Sequence, residues 1–249
     1  KKHFELASTQ SQVERNGDST LMADAHYGIG ESLYHLEQFP QAIEALSTFI
    51  QTYPKNRHIP QAYDKLAFCY LKVKNYSAAK EAYAKGVETS PQNVTKADEV
   101  FAGDTFYYTL AQALENDGKM KEATAEYKVL LEKFPQSQLG DDARYRLGLW
   151  YYRQKEYRTA ETFLEEVLAH AGEATRGAPA LLVLGNISYA QERYADAIEK
   201  YQQFVNQYPQ DSALPQAYFW LGMARFQAQQ FSESYSALAK ALSVGGLPA

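Results

Sequence analysis

A chain with one cysteine, Cys69, forms no internal disulfide, so its fold rests on burial and hydrogen bonding alone. Long apolar runs are missing too. Nothing approaches the roughly 18–20 consecutive residues of a membrane helix, so no integral membrane segment is expected. Residues 1–16 hold two lysines and a mixed polar stretch without the apolar core of a signal peptide. Basic clusters are absent, and a formal charge of −5 with a pI near 5.6 argues against a nucleic-acid partner, whose phosphates must be neutralised. His3, His26, His35, His58 and His170 show no metal-ligand spacing, and Cys69 has no second cysteine beside it. Gly-rich phosphate loops, nucleophile elbows and paired-histidine helix motifs are also missing. These absences remove the usual grounds for an enzyme, a metal or a cofactor, and none is expected.

What the chain has in excess is aromatic side chains, 20 Tyr and 12 Phe. They recur at fixed intervals. Segments such as FIQTYP and FVNQYP end at prolines, and Pro54, Pro91, Pro135 and Pro209 stand 37, 44 and 74 residues apart, the last being twice 37. The missing midpoint is Gly172, and further steps of 37 reach Gly17 and Gly246 at the two ends. Proline lacks an N–H and glycine relaxes the backbone, so both stop helices. One period therefore governs the chain, with a single insertion of seven residues before the third unit.

Two further columns keep the same register. Fifteen residues ahead of each stopper stands Phe39, Tyr76, Met120, Tyr157, Tyr194 or Phe231, followed three residues later by Ala42, Ala79, Ala123, Ala160, Ala197 or Ser234. Earlier in each unit comes an apolar–small pair: Ile29-Gly30, Leu66-Ala67, Leu110-Ala111, Leu147-Gly148, Leu184-Gly185 and Leu221-Gly222. In the fifth unit Tyr194, Ala197, Ile198, Tyr201, Phe204 and Val205 follow helical spacing after a polar break at Gln191-Glu192-Arg193. Each unit thus reads as two helices of about 12–14 residues joined by a short turn, with the small residues where backbones approach. One hairpin cannot bury its own apolar face, so neighbours must stack.

Leu66, Ala67, Tyr70, Ala79, Tyr83 and Pro91 carry the pattern of the tetratricopeptide repeat, as do Leu184, Gly185, Ala197, Tyr201 and Pro209. Over residues 23–248 the chain is identified as a member of that family. His26, Arg144 and Leu181 replace the family's large aromatic in three units, and two units close on Gly. The links YPQDSALPQAYFWLG, FPQSQLGDDARYRLG and YPKNRHIPQAYDKLA resemble those of bacterial cell-envelope repeat proteins, typified by the Tol–Pal coordinator YbgF and the outer-membrane assembly lipoprotein BamD. The resemblance implies an all-α fold, an α–α superhelix (tetratricopeptide solenoid) of about six hairpins plus an N-terminal helix. Repeats are expected at about 23–56, 60–93, 104–137, 141–174, 178–211 and 215–248. Residues 1–22 form the N-terminal helix, read as the remnant of a preceding repeat, with a divergent capping helix as the alternative. The insertion, within Gln92–Gly103, either lengthens a helix or forms a protruding loop bearing Val100 and Phe101.

In this family the first helices line the concave face. Carried over unit by unit, the inward positions give Tyr27, Tyr108, Tyr145 and Phe219 in one column and Tyr34, Tyr152, Tyr189 and Phe226 in a second, with Phe68, Asn186 and Met223 between them. Asp64 and Glu31 also fall at inward positions. The resemblance implies a groove at these residues that grips a protein or peptide. Tyrosine suits it, giving large contact area at low entropy cost. The competing reading has the rings packing sideways between neighbouring first helices. A chaperone-tail clamp is disfavoured, because the first unit offers Tyr27 and Glu31 where paired Lys and Asn would be needed. The expected function is non-enzymatic scaffolding in the bacterial periplasm or cell envelope. The alternatives are a self-associating structural module and a cytosolic assembly or regulatory adaptor.

Overall fold

The computed structural model describes residues 20–90, 103–170 and 176–245. Every regular element among them is a helix. The first, α1, spans 20–35. Then come α2 (Phe39–Thr52), α3 (Ile59–Lys72), α4 (Tyr76–Thr89), α5 (Gly103–Asn116), α6 (Met120–Lys133), α7 (Gly140–Arg153), α8 (Tyr157–Ala169), α9 (Gly177–Ala190), α10 (Tyr194–Gln207), α11 (Leu214–Gln227) and α12 (Phe231–Gly245). The all-α class expected from the repeats is what the chain adopts. The seven-residue insertion, residues 3–15 and the stoppers Gly17, Pro91, Gly172 and Gly246 lie outside the described residues. Helix α1 already runs from residue 20, inside the stretch assigned above to an N-terminal helix.

The chain divides into two compact units, 1–117 and 118–249. In the first, α3 packs on α4 as a hairpin, α2 packs on α3, and α3 lies beside α5. In the second, α7 pairs with α8, α9 with α10 and α11 with α12, while α6 meets α7, α8 meets α9 and α10 meets α11. Both units therefore repeat one joint, the second helix of a hairpin against the first helix of the next.

The apolar spacing accounts for what each helix buries. On α2 the buried residues Ala42, Leu46 and Phe49 recur every three or four positions, which is one helical face. Helix α9 is different: Leu181 to Gly185 are all buried, because α8 and α10 both cover it. Apolar on nearly all sides, it forms the core of the second unit, with Leu164 and Val167 on one flank and Tyr201 and Phe204 on the other.

The apolar–small pair is where helices close on each other. A Cβ added at Gly148 would stand 2.6 Å from Leu164 Cγ, and one at Gly185 would stand 2.5 Å from Tyr201 Cε1. Neither neighbour is a loose side-chain end, since both Leu164 and Tyr201 are fully buried. Glycine in these columns sets the interhelical distance.

Each hairpin turn is three residues long, and its centre takes the left-handed conformation. Glu37, Lys74, Lys155, Glu192 and Gln229 have φ of 58–62°, and Gly118 has 77°. The backbone shows why. Asn75 N–H donates to Tyr70 C=O and Lys74 N–H to Leu71 C=O, the paired closure that ends a helix by turning one residue left-handed. Glu156 and Lys155 repeat it on Tyr151 and Tyr152, and Arg193 and Glu192 on Ser188 and Tyr189.

The links between hairpins are also built alike. After the closing Pro, the side chains of Asn56, Ser137 and Asp211 accept from the backbone N–H two residues on, at 2.9, 3.1 and 2.8 Å. This local turn starts the next helix and explains why a short polar residue recurs two places after Pro54, Pro135 and Pro209. Pro60 and Pro215 then occupy the first turns of α3 and α11, where a missing N–H costs nothing.

Candidate partner-binding surface

In the first unit the candidate residues come from α1, α3 and α5. The Tyr27 ring is buried, stacked on His58 with centroids 4.5 Å apart and planes at 4°, and lies 5.6 Å from Phe49. Its hydroxyl donates to Glu31 at 3.2 Å. Glu31 also meets Lys65 at 3.1 Å, and the Lys65 ammonium lies 5.7 Å from the Tyr34 ring centre. Burial works against the charged form of Glu31, but the Lys65 and Tyr27 hydrogen bonds and the Lys65 charge outweigh it and hold its carboxyl below the usual range. Burial raises the Tyr34 and Tyr27 hydroxyls, helped by the neighbouring carboxylates.

Asp64, one step along α3 from Lys65, behaves differently. Burial pushes its carboxyl up to about 6, with only the Lys65 charge opposing. Phe68 meets Phe106 edge-on at 6.2 Å, and Phe106 in turn stacks on Tyr83 at 4.1 Å. Tyr108 accepts from the Gln112 amide at 3.0 Å. Tyr34, Phe68 and Tyr108 are half-buried and keep part of each ring open, whereas Tyr27 belongs to the core.

In the second unit the candidates lie on α7, α9 and α11. Tyr145 is half-buried with the Arg176 guanidinium 5.3 Å above its ring. Asp142 holds that arginine and also accepts from Arg146 Nε at 2.7 Å, so both cations are anchored beside the ring. Burial raises the Tyr145 hydroxyl, and Arg176 works against the shift. Tyr152 packs 6.2 Å from Tyr157, and burial raises its hydroxyl as well. Asn186 faces its own hairpin, its Oδ1 accepting from the Tyr201 hydroxyl at 2.6 Å. Tyr189 meets Tyr194 and Trp220, both at 5.5 Å. Phe219 and Met223 are half-buried, while Phe226 is 51% exposed and touches Phe231 edge-on.

Two residues of this surface escaped the sequence reading. Trp220 joins the ring contacts between α9 and α11, and tryptophan is a residue type on which binding energy concentrates. The signal was available: Trp220 stands in the column of Lys65 and Arg146, one place before the apolar–small pair. Arg176 sits ahead of α9 in a link, outside any helical column, so periodicity gave no reason to select it.

Among the described residues no helix is long and apolar enough to cross a membrane, and no three His, Cys, Asp or Glu side chains gather as a metal site would require. What the two sets of rings offer is amphipathic contact area on first helices. Carboxylates flank them in the first unit, and guanidinium groups flank them in the second.

Comparison with known proteins follows the same lines. The model of the family described as outer membrane lipoprotein, YfiO, matches residues 20–150. A tetratricopeptide repeat model matches residues 145–212 and 182–245. No curated protein matches the chain. Among solved structures, the C-terminal part of a tetratricopeptide repeat-containing protein from Cytophaga hutchinsonii is similar with a TM-score of 0.55 and 16% identity, covering 88% of this chain and 80% of its own. MamA from Desulfovibrio magneticus RS-1 gives 0.53 and 19%, covering 74% and 94%. A tetratricopeptide repeat protein from Parabacteroides merdae gives 0.51 and 16%, covering 91% and 80%. At these identities the likeness concerns the fold.

Proposed function

The chain belongs to the YfiO family of outer membrane lipoproteins and carries tetratricopeptide repeats, and from that membership we propose that it is a non-enzymatic scaffold of the bacterial cell envelope that holds a polypeptide partner on its first helices. The contact residues of this proposal are Tyr34, Phe68 and Tyr108 in the first unit, and Tyr145, Tyr152, Tyr189, Phe219, Met223 and Phe226 in the second. Tyr27 and Asn186 support them from behind, the one stacked on His58 and the other tied to Tyr201.

The observation that carries the reading is the state of these rings. They are ordered by neighbouring rings and cations yet half-open, a combination that costs little entropy when a partner docks. Family membership supports an envelope setting and a role in assembly or coordination there.

The test is capture of the partner by wild-type protein beside a Tyr152→Ala, Phe226→Ala double variant. Phe226 is 51% exposed and Tyr152 is partly buried at the edge of the core, so the variant should keep its helical circular dichroism. Loss of the partner by the variant is the expected result. Equal retention by the two proteins removes the ring surface from the account. Fractionation of the native cells tests location separately, with recovery in the envelope fraction expected and recovery in the cytosol contrary.

A further inference from the structure

In the first unit α3 carries Asp64 and Phe68 among the inward positions and turns another face, Tyr63, Leu66 and Tyr70, toward the gap between α2 and α4. There the three helices leave a cavity of about 280 Å³, flanked by Ser47 of α2 and by Ala78 and Ala82 of α4. Tyr63 and Tyr70 are half-buried in it, and neither hydroxyl makes a hydrogen bond among the described residues. At the rim Glu81 and Lys85 pair with each other at 2.7 Å, so the opening carries no net charge.

The same gap recurs in the second unit, and there the chain fills it. Between α6 and α8, Phe163 stands in the column of Ala82 and Tyr151 in the column of Tyr70. Their rings stack with centroids 5.9 Å apart and planes at 10°. Lys128, in the column of Ser47, donates to the Tyr151 hydroxyl at 2.7 Å. Between α10 and α12, Arg225 replaces Tyr70 and donates to the Gln202 side chain at 2.8 Å and to Glu233 C=O at 3.4 Å. Those two residues occupy the columns of Ser47 and Ala78. Between α8 and α10 the floor residues Leu181, Leu184 and Ser188 are all buried. The first unit keeps the tyrosine and lacks the ring and the cation that cover it elsewhere.

We infer that this cavity receives an aromatic side chain of a partner polypeptide, which stacks on Tyr70 as Phe163 stacks on Tyr151. Alanine at position 82 in place of phenylalanine leaves out one ring, so the space that remains suits one. About 280 Å³ is below the roughly 300–1,000 Å³ of sites that enclose a whole small molecule, which favours a single side chain. The neutral rim offers a buried charge no partner, which disfavours a charged occupant. The Tyr70 hydroxyl then accepts an N–H from the same segment, the part that Lys128 plays for Tyr151. This site is separate from the ring surface proposed above and does not depend on it.

Titration of the protein with N-acetyl-phenylalaninamide, followed by NMR, tests the ring, with N-acetyl-leucinamide beside it. Wild type should show saturable shifts at Ser47, Tyr70 and Ala82 with a Kd on the order of 1 mM. The leucine compound should bind about threefold more weakly or worse, having no ring to stack. Ala82→Phe supplies the missing ring from within and should weaken binding by about tenfold or more. Tyr70→Leu removes the other half of the stack, with the side chain that Leu114 places in the same column, and should give a similar loss. It keeps the test decisive should Ala82→Phe fail to fold. Benzoylphenylalanine at Gln51, exposed on the rim, tests for a polypeptide in cells, and Ala82→Phe should abolish its adduct. No shifts at these residues, equal binding of the two amides, or binding that survives both variants overturns the inference. So does the absence of a polypeptide adduct, or an adduct that persists in Ala82→Phe.

Discussion

Replacing Gly185 by alanine puts one methyl group where α9 and α10 touch. The added Cβ would sit 2.5 Å from Tyr201 Cε1 and 2.8 Å from Cδ1 and Cζ. Carbon atoms rest at about 3.5–4.0 Å, so the ring must retreat by roughly 1 Å. Tyr201 is fully buried, and its hydroxyl is held by Asn186 at 2.6 Å, so a retreat disturbs packing and hydrogen bond together. Overpacking of this kind costs about 1–3 kcal/mol. Alanine returns about 1 kcal/mol of helix propensity, leaving a net loss of up to about 2 kcal/mol. Gly28, inside α1, supplies the control, because a Cβ there meets nothing within 4 Å. Gly28→Ala should stabilise by about 0.5–1 kcal/mol. Melting curves by circular dichroism should therefore move in opposite directions, by about 2–4 °C per kcal/mol. Hydrogen exchange locates each effect in its own hairpin. In the first unit Ala67 fills the same column and is fully buried, so the penalty belongs to the spacing of this hairpin and not to alanine as such. If Gly185→Ala stabilises as much as Gly28→Ala does, the close-approach reasoning is refuted.

The left-handed turn centres and the raised carboxyl give two more predictions. Lys155→Gly relieves a side chain held at φ 60° and should raise stability by about 0.5–1 kcal/mol in denaturant titrations. A loss instead would mean that the Lys155 side chain makes a contact outweighing the backbone strain. Asp64 takes up protons more readily when folded than unfolded, since burial lifts its carboxyl from 3.8 to about 6. Its contribution to stability is thus fully present below pH 4 and lost as pH rises through about 6. Asp64→Asn should stabilise the protein by about 1–2 kcal/mol at pH 7, with the gain shrinking toward pH 4. A gain equal at both pH values contradicts the desolvation account.

Much of this architecture was legible because its signals are periodic. The stoppers, the apolar–small pairs and the aromatic column each announce one helix end or one contact, and six copies separate them from coincidence. Gly148 and Gly185 were read as sites of close approach, and there the helices do meet. Features that do not repeat by residue type were hidden. The left-handed turn centres are Glu, Lys or Gln at five positions, and only Gly118 advertises the conformation. Tyr27 shares a column with Tyr145, yet its ring is buried because His58, from the following link, lies flat against it. No helical spacing reveals that contact. Arg176 was overlooked for the same reason, reaching Tyr145 from a link.

Photo-crosslinking from a benzoylphenylalanine placed at Tyr152, compared with one at Glu165 on the exposed side of α8, bears most directly on whether the first helices hold the partner. In living cells the expected result is a polypeptide adduct at position 152 and none at 165. Adducts at 165 with none at 152 would place the partner on the second helices and contradict the proposed surface.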